Sequence, residues 1–280
     1  MIPFEFEYYK PDSVEEAAGL FARLKKEGKE VIYYGGGTEF ISMARMYNLY
    51  TDAVIDIKGI SECNEYEIKG DTLIIGSAVT LTKIANINLF PLLSLAVERI
   101  ADHTVQDKIT LGGNIAGTII YKESTLPLMV SNSEIVLACK EGRRTVPFNE
   151  VFDKRIQLNE GEMIVKAIVK KKFIDLPYLH VKRTKIDRID YPLTSLIALK
   201  DNGKINIAIS GLCDYPFRSI EIEDTLNNWE LSVDERVNKI IKNIPGEIKT
   251  DVGGSAEYRK FMLSTMLKEV LDVFEGEKDA

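Results

Sequence analysis

Cysteine, histidine and tryptophan are scarce: three, two and one copies among 280 residues. Cys63, Cys139 and Cys213 stand far apart, a set that makes neither a disulfide framework nor a C-x₂-C metal or cluster motif. The thiols read as small buried hydrophobes or incidental thiols, and no iron–sulfur cluster is expected on this chain itself. With only His103 and His180 available, no Ser-His-Asp or metal-ligand arrangement stands out, so no catalytic residue and no metal site is expected. His180 sits in an alternating segment and reads as structural, and His103 has no acid partner evident in sequence. Large basic clusters are missing as well. The short runs Lys25-Lys26, Arg143-Arg144 and Lys170-Lys171-Lys172 lie in a chain of net charge −7, which argues against a nucleic-acid partner. No apolar stretch approaches the ~18–20 residues that span a bilayer. Met1-Ile2-Pro3-Phe4-Glu5 has no basic region and no uninterrupted apolar one, so a cytoplasmic protein without membrane attachment is expected.

What the chain does have is glycine in two telling places. Val31-Ile32-Tyr33-Tyr34 runs into Gly35-Gly36-Gly37-Thr38-Glu39-Phe40, and Ile109-Thr110 runs into Leu111-Gly112-Gly113-Asn114-Ile115. Three glycines after a β-like run leave the backbone unshielded by Cβ atoms and permit φ > 0. Thr38 opens a helical stretch whose first N–H groups favour an anion. Each motif ends in a small polar side chain, Thr38 or Asn114, so one diphosphate could be held from both sides. A side chain at Gly36 would then strike the phosphate or remove a needed backbone conformation.

The order and spacing of these motifs resemble the FAD-binding medium subunit of the molybdenum hydroxylases, the xanthine dehydrogenase and carbon monoxide dehydrogenase family. G-G-G-T-E-F stands for its A-G-G-T-D-L, and T-L-G-G-N-I for its T-I-G-G-N. The opening F-E-F-E-Y-Y-K-P-D-S-V-E-E-A and the strand Tyr178-Leu179-His180-Val181-Lys182-Arg183 extend the resemblance over nearly the whole chain. It implies an α+β fold: a two-lobed FAD-binding domain of the vanillyl-alcohol-oxidase (PCMH) type, then a smaller C-terminal α+β domain. It also implies non-covalently bound FAD that takes electrons from a [2Fe-2S] subunit, beside a molybdopterin-containing large subunit, and passes them to NAD or another acceptor. The implied cofactor contacts are Tyr33, Tyr34, Gly35, Gly36, Gly37, Thr38 and Glu39 in the first motif, with Thr110, Gly113 and Asn114 in the second. Glu123 falls where an aspartate lies near the adenosine ribose, although taken alone it reads as a surface carboxylate. Lys182 is the candidate cation near the flavin N1–C2=O edge, where it would raise the reduction potential, and Tyr191 could cover one face of the ring. Ile100 and Ile164 match apolar positions beside the cofactor, and ordinary core packing explains them equally. The family's Gln-Ile-Arg-Asn-x-Gly is replaced here by Thr104-Val105-Gln106-Asp107-Lys108-Ile109, which lacks the arginine. Two other readings stay open: a flavin-dependent oxidoreductase acting alone, and a non-redox nucleotide-binding module.

Periodicity predicts a helix over 11–27 with Asp12 or Ser13 as cap and Glu16 three residues after Ser13, strands at 31–34 and 53–57, and hence a small parallel sheet. Strands at 65–69 and 72–76 flank the Gly70-Asp71 turn. Residues 82–101 read as helical, with Pro91 opening a helix that reaches 100. Strands at 133–139, 144–147 and 163–171 should complete an antiparallel lobe. The expected FAD-binding domain is 1–173, with lobes of about 1–58 and 59–173, and the C-terminal domain is 174–280. The latter should hold strands at 178–182, 194–199 and 204–210, then helices from 223 onward. Its last helix is expected to bury Phe261, Met262, Met266, Leu267 and Val270, with 276–280 as a tail.

Overall fold

The computed structural model describes residues 1–186 and 190–276. They divide into two units: Met1–Leu89, Ala101–Thr118 and Asn132–Lys171 form the first, and Phe90–Ile100, Ile119–Ser131 and the chain from Lys172 onward form the second.

In the first unit, strands β1 (Glu7–Tyr9) and β2 (Val31–Tyr34) both pair in parallel with β3 (Ala53–Asp56), which is buried along its whole length. The helix Val14–Lys26 starts where its cap dictates. Ser13 Oγ accepts from the Glu16 N–H at 3.1 Å, while the Glu16 carboxylate reaches back to the Asp12 N–H at 2.9 Å. Val14, Ala17 and Leu24 carry its apolar stripe into a core shared with Val31, Ala53 and Ile55. A second, antiparallel sheet is built from β4 (Tyr66–Lys69), β5 (Thr72–Gly76), β6 (Glu134–Cys139), β7 (Gly142–Pro147) and, after the two-residue strands β8 (Phe152–Asp153) and β9 (Arg155–Ile156), β10 (Met163–Lys170). Its order is β4-β5-β10-β6-β7.

The second unit holds the antiparallel sheet β11 (Tyr178–Thr184), β12 (Pro192–Asp201) and β13 (Lys204–Ser210), with Asn202 and Gly203 at positive φ in the β12–β13 turn. Cross-strand partners share a face. Val181 and Leu196, paired in register, face a core with Leu263, Met266, Val270 and Phe274 of the helix Ala256–Gly276. Lys182 and Ser195, also paired in register, therefore point to the opposite face.

Two expectations meet different outcomes. The chain passes into the second unit for good at Lys172, beside the cut expected at 173, yet Phe90–Ile100 and Ile119–Ser131 belong to that unit too, so one cut does not divide the chain. The cause is their burial demand. Helix Pro91–Val97 buries Leu92, Leu93, Ala96 and Val97 and packs on β11, while Thr125–Val130 is buried throughout and packs on β12 and β13. In the last helix, Phe261 is 65% exposed, and Leu263, Leu271 and Phe274 are buried instead. Positions 261 and 263 differ by roughly 200° around a helix, so they cannot share the buried face. Of the expected tail 276–280, Gly276 instead closes the last helix, and the rest lies outside the described residues.

Candidate functional site

Within the first unit, the two glycine motifs lean on one another. A Cβ on Gly35 would lie 2.7 Å from Thr110 Oγ1, and one on Gly36 would overlap the Lys108 carbonyl oxygen. A Cβ on Gly112 would likewise lie 2.7 Å from Ser77 Cβ. The glycines thus let two loops approach backbone to backbone, and the space beside the Gly36 Cα is filled by protein. The steric reason expected for Gly36, a clash with phosphate, is replaced by a clash with Lys108. Gly37 has φ +73°, the left-handed region that favours glycine, and a side chain there would also strike the Tyr34 hydroxyl.

Gly37 is the N-cap of the helix Thr38–Arg45 and brings no side-chain cap. Among the described residues, the N–H groups of Gly36 and Gly37 donate to no protein acceptor. Uncommitted backbone donors beside an uncapped helix start form a donor set suited to an anion such as a diphosphate. In the second motif Thr110 is buried and caps the short helix Leu111–Ala116, its Oγ1 accepting from the Gly113 N–H at 3.1 Å. Asn114 follows, also buried, with its own N–H bonded to the Thr110 carbonyl at 2.9 Å.

Several expected contact residues have their side chains committed. Tyr33 stacks on Phe21 at 5.0 Å and donates to the Gly161 carbonyl at 3.0 Å, and burial pushes its hydroxyl pKa up. Tyr34 packs edge-on against Phe40, with the Lys58 ammonium 4.4 Å from its ring centre. Glu39 accepts from the Thr118 N–H at 2.7 Å and its hydroxyl at 2.8 Å, which clips the end of the second motif to the first. For Tyr33 and Glu39 the backbone is what is left to offer a ligand. Ile164 is buried on β10 opposite Leu137.

On the second unit, Lys182 and Glu123 pair with each other. Lys182 Nζ donates to Glu123 Oε2 at 3.0 Å and to the Arg99 carbonyl at 2.7 Å, with both side chains 4% exposed. The two candidates therefore stand side by side in one buried ion pair. The ammonium is also balanced by a carboxylate. Glu123 Oε1 is buried without a hydrogen-bond partner among the described residues, a position that an O–H or N–H of a bound group would satisfy. Burial raises the Glu123 pKa despite the attraction of Lys182. Ile100 ends its segment half-buried. Tyr191 is 60% exposed and stacks on Tyr121 at 4.6 Å, which covers one of its faces and leaves the other to solvent. Sequence reading missed Asp56, Lys58, Arg99, Thr118 and Tyr121. Only Asp56 and Lys58 carried a signal, as an Asx-type turn closing a strand.

His180 is buried, with Nε2 2.9 Å from Ser195 Oγ, while its buried Nδ1 has no hydrogen-bond partner among the described residues, so only half of the ring is satisfied. Exposed His103 does have an acidic neighbour, Asp107, 3.7 Å away on the next helical turn. Burial, with Arg99 and Lys182 nearby, pulls the His180 pKa from 6.5 down to about 3. The unfolded state therefore binds more protons between those values, and stability falls as pH drops from 6.5 toward 3. His180→Gln should flatten the acid side of the stability profile in denaturant titrations. Parallel slopes for both proteins would show that His180 is not held neutral.

Comparison with known proteins gives a consistent picture. Residues 4–169 match the family described as the FAD binding domain in molybdopterin dehydrogenase. The glyceraldehyde dehydrogenase medium chain of Sulfolobus acidocaldarius is 26% identical over 285 aligned residues, covering 95% of this chain and 97% of that one. The carbon monoxide dehydrogenase medium chain of Hydrogenophaga pseudoflava is 30% identical over 175 residues, 60% of each chain. A solved structure of carbon monoxide dehydrogenase from that organism, lacking the Mo-pyranopterin moiety, superposes with a TM-score of 0.85 at 26% identity over 96% of both chains. The α+β architecture is accordingly that of the PCMH type, and no helix among the described residues is long and apolar enough to cross a membrane. The chain belongs to the FAD-binding domain family of the molybdopterin dehydrogenases and is an oxidoreductase component, an FAD-binding medium subunit of the molybdenum hydroxylase type.

Proposed function

We propose that this subunit holds FAD between a [2Fe-2S] partner, which supplies electrons from a molybdopterin-containing large subunit, and NAD or another acceptor. The observation that carries the reading is the paired glycine motif, with its free backbone donors at an uncapped helix start. On this reading the Gly36 and Gly37 N–H groups and the first turn of Thr38–Arg45 bind the diphosphate, and Thr110 and Asn114 hold the second motif against them. The Lys182–Glu123 pair and the outer face of Tyr191 are the second unit's candidates for flavin contact. FAD, when bound, supplies the two-electron and one-electron chemistry; the protein places it and sets the charge around it. Three cysteines, each more than seventy residues from the next, make no cluster-binding motif, which supports a cluster carried by another subunit. The named relatives are themselves medium chains.

Neither glycine motif offers a His or Cys for covalent attachment. The purified chain should be yellow, and acid precipitation should release all of its flavin to the supernatant. A colourless protein that cannot be loaded with FAD would refute the reading, and colour kept in the pellet would refute non-covalent binding.

A further inference from the structure

Lys58 stands outside both glycine motifs and receives no role from the family resemblance, yet it grips the first of them. Its ammonium donates to the Gly35 carbonyl at 2.8 Å and sits 2.9 Å from Asp56 Oδ1. Asp56 ends β3, is buried, and accepts in addition the Lys58 backbone N–H at 2.9 Å and the Tyr8 hydroxyl on its other oxygen. Burial alone would raise the Asp56 pKa, but the bonds from Tyr8 and Lys58 outweigh it and hold the carboxyl below its usual range. The bond to Asp56 in turn pushes the Tyr8 hydroxyl up to about 12. A carboxylate anchored in the central strand thus fixes an ammonium, and the ammonium fixes one peptide of the loop.

That peptide matters because of its geometry. In a planar trans unit the C=O of one residue and the N–H of the next point in opposite directions. Holding the Gly35 carbonyl toward Lys58 therefore turns the Gly36 N–H away from Lys58, and this N–H is one of the uncommitted donors of the loop. Glycine has no intrinsic preference that would hold the peptide in this orientation. We infer that Lys58, set by Asp56 and Tyr8, is a positioning residue that orients the Gly35–Gly36 peptide so that its N–H faces the FAD diphosphate. The inference rests on the reading that this loop binds the diphosphate.

The test uses the full chain, stripped of flavin and titrated with FAD, with ³¹P NMR of the bound diphosphate. Lys58 is 40% exposed, so Lys58→Met should not unfold the protein. It is expected to weaken FAD binding roughly tenfold or more, the worth of one charge-assisted hydrogen bond. The bound ³¹P signals should also move toward those of free FAD; the flavin-free variant should stay folded but melt lower, because Asp56 loses its cation, so affinities are compared well below both midpoints. Lys58→Arg should recover most of the affinity. If wild type shifts the ³¹P signals but Lys58→Met binds FAD equally well with the same signals, the positioning role is wrong and the loop reading stands. If the wild-type signals match free FAD, the loop reading itself fails and takes the positioning role with it. Should Lys58→Met lose its fold, Tyr8→Phe decides: a few-fold weaker affinity supports the role, and unchanged affinity overturns it.

Discussion

Gly36→Val should unfold or severely loosen the first unit and abolish FAD binding with it. The new Cβ would overlap the Lys108 carbonyl oxygen, and it is backbone, not a flexible side chain, that would have to move. Overpacking commonly costs about 1–3 kcal/mol, and a backbone clash with no rotamer to relieve it belongs at or above the upper end. Two contacts depend on the same approach of loops, since Gly35 already faces Thr110 Oγ1 and Thr110 caps the helix that begins at Leu111. Gly19→Ala is the matching control. It lies inside the helix Val14–Lys26 with no atom within 4 Å of the added Cβ, so it should stabilise by about 1 kcal/mol through helix propensity. Thermal unfolding of both variants reads the contrast directly. A Gly36→Val protein with wild-type melting and full flavin would mean that the two motifs do not touch.

Lys182→Met is expected to cost about 3–5 kcal/mol, because it leaves the buried Glu123 carboxylate without its cation. The loss should depend on pH in a definite sense. The folded Glu123 pKa already lies above its unfolded value of 4.5, so its ionised form burdens the folded state most at high pH and not at all well below 4.5. Removing Lys182 raises the folded pKa further. The variant should therefore be weakest in mildly alkaline buffer and recover part of its stability in mild acid, by protonating Glu123. Lys182→Met with Glu123→Gln should be more stable than the single variant, because no buried charge is left. Urea unfolding of the three proteins at both pH values measures this, and a loss below about 1 kcal/mol would place the pair in solvent.

The features legible in the sequence are those written in consecutive residues. Val31–Tyr34 followed by three glycines announces a strand that ends in bare backbone, and that is what forms. Ser13 three residues before Glu16 sets a helix start, and the Lys69-Gly70-Asp71-Thr72 turn sets a hairpin, because turn and cap chemistry is local. Glu123 and Lys182 are 59 residues apart and their pairing has no local trace. The same holds for Lys58, whose carbonyl partner at Gly35 lies in the preceding strand–loop unit. Phe261 misled because an aromatic near other apolar residues looks like core. The buried stripe through Leu263, Leu267 and Val270 decides which way the helix turns, and it leaves Phe261 outside. The segments Phe90–Ile100 and Ile119–Ser131 leave the first unit for the same kind of reason, since burial partners on β11, β12 and β13 come later in the chain.

The central claim is that this chain carries flavin without carrying the chemistry that feeds it. The most direct measurement is anaerobic visible spectroscopy of the FAD-loaded, rigorously purified single chain during addition of candidate hydroxylase substrates, an aldehyde, a purine or carbon monoxide. The oxidised flavin band should persist with every substrate and bleach only after a [2Fe-2S] subunit and a molybdopterin-containing subunit are added. Bleaching by substrate in the single chain alone would contradict the account and identify a flavin enzyme complete in itself.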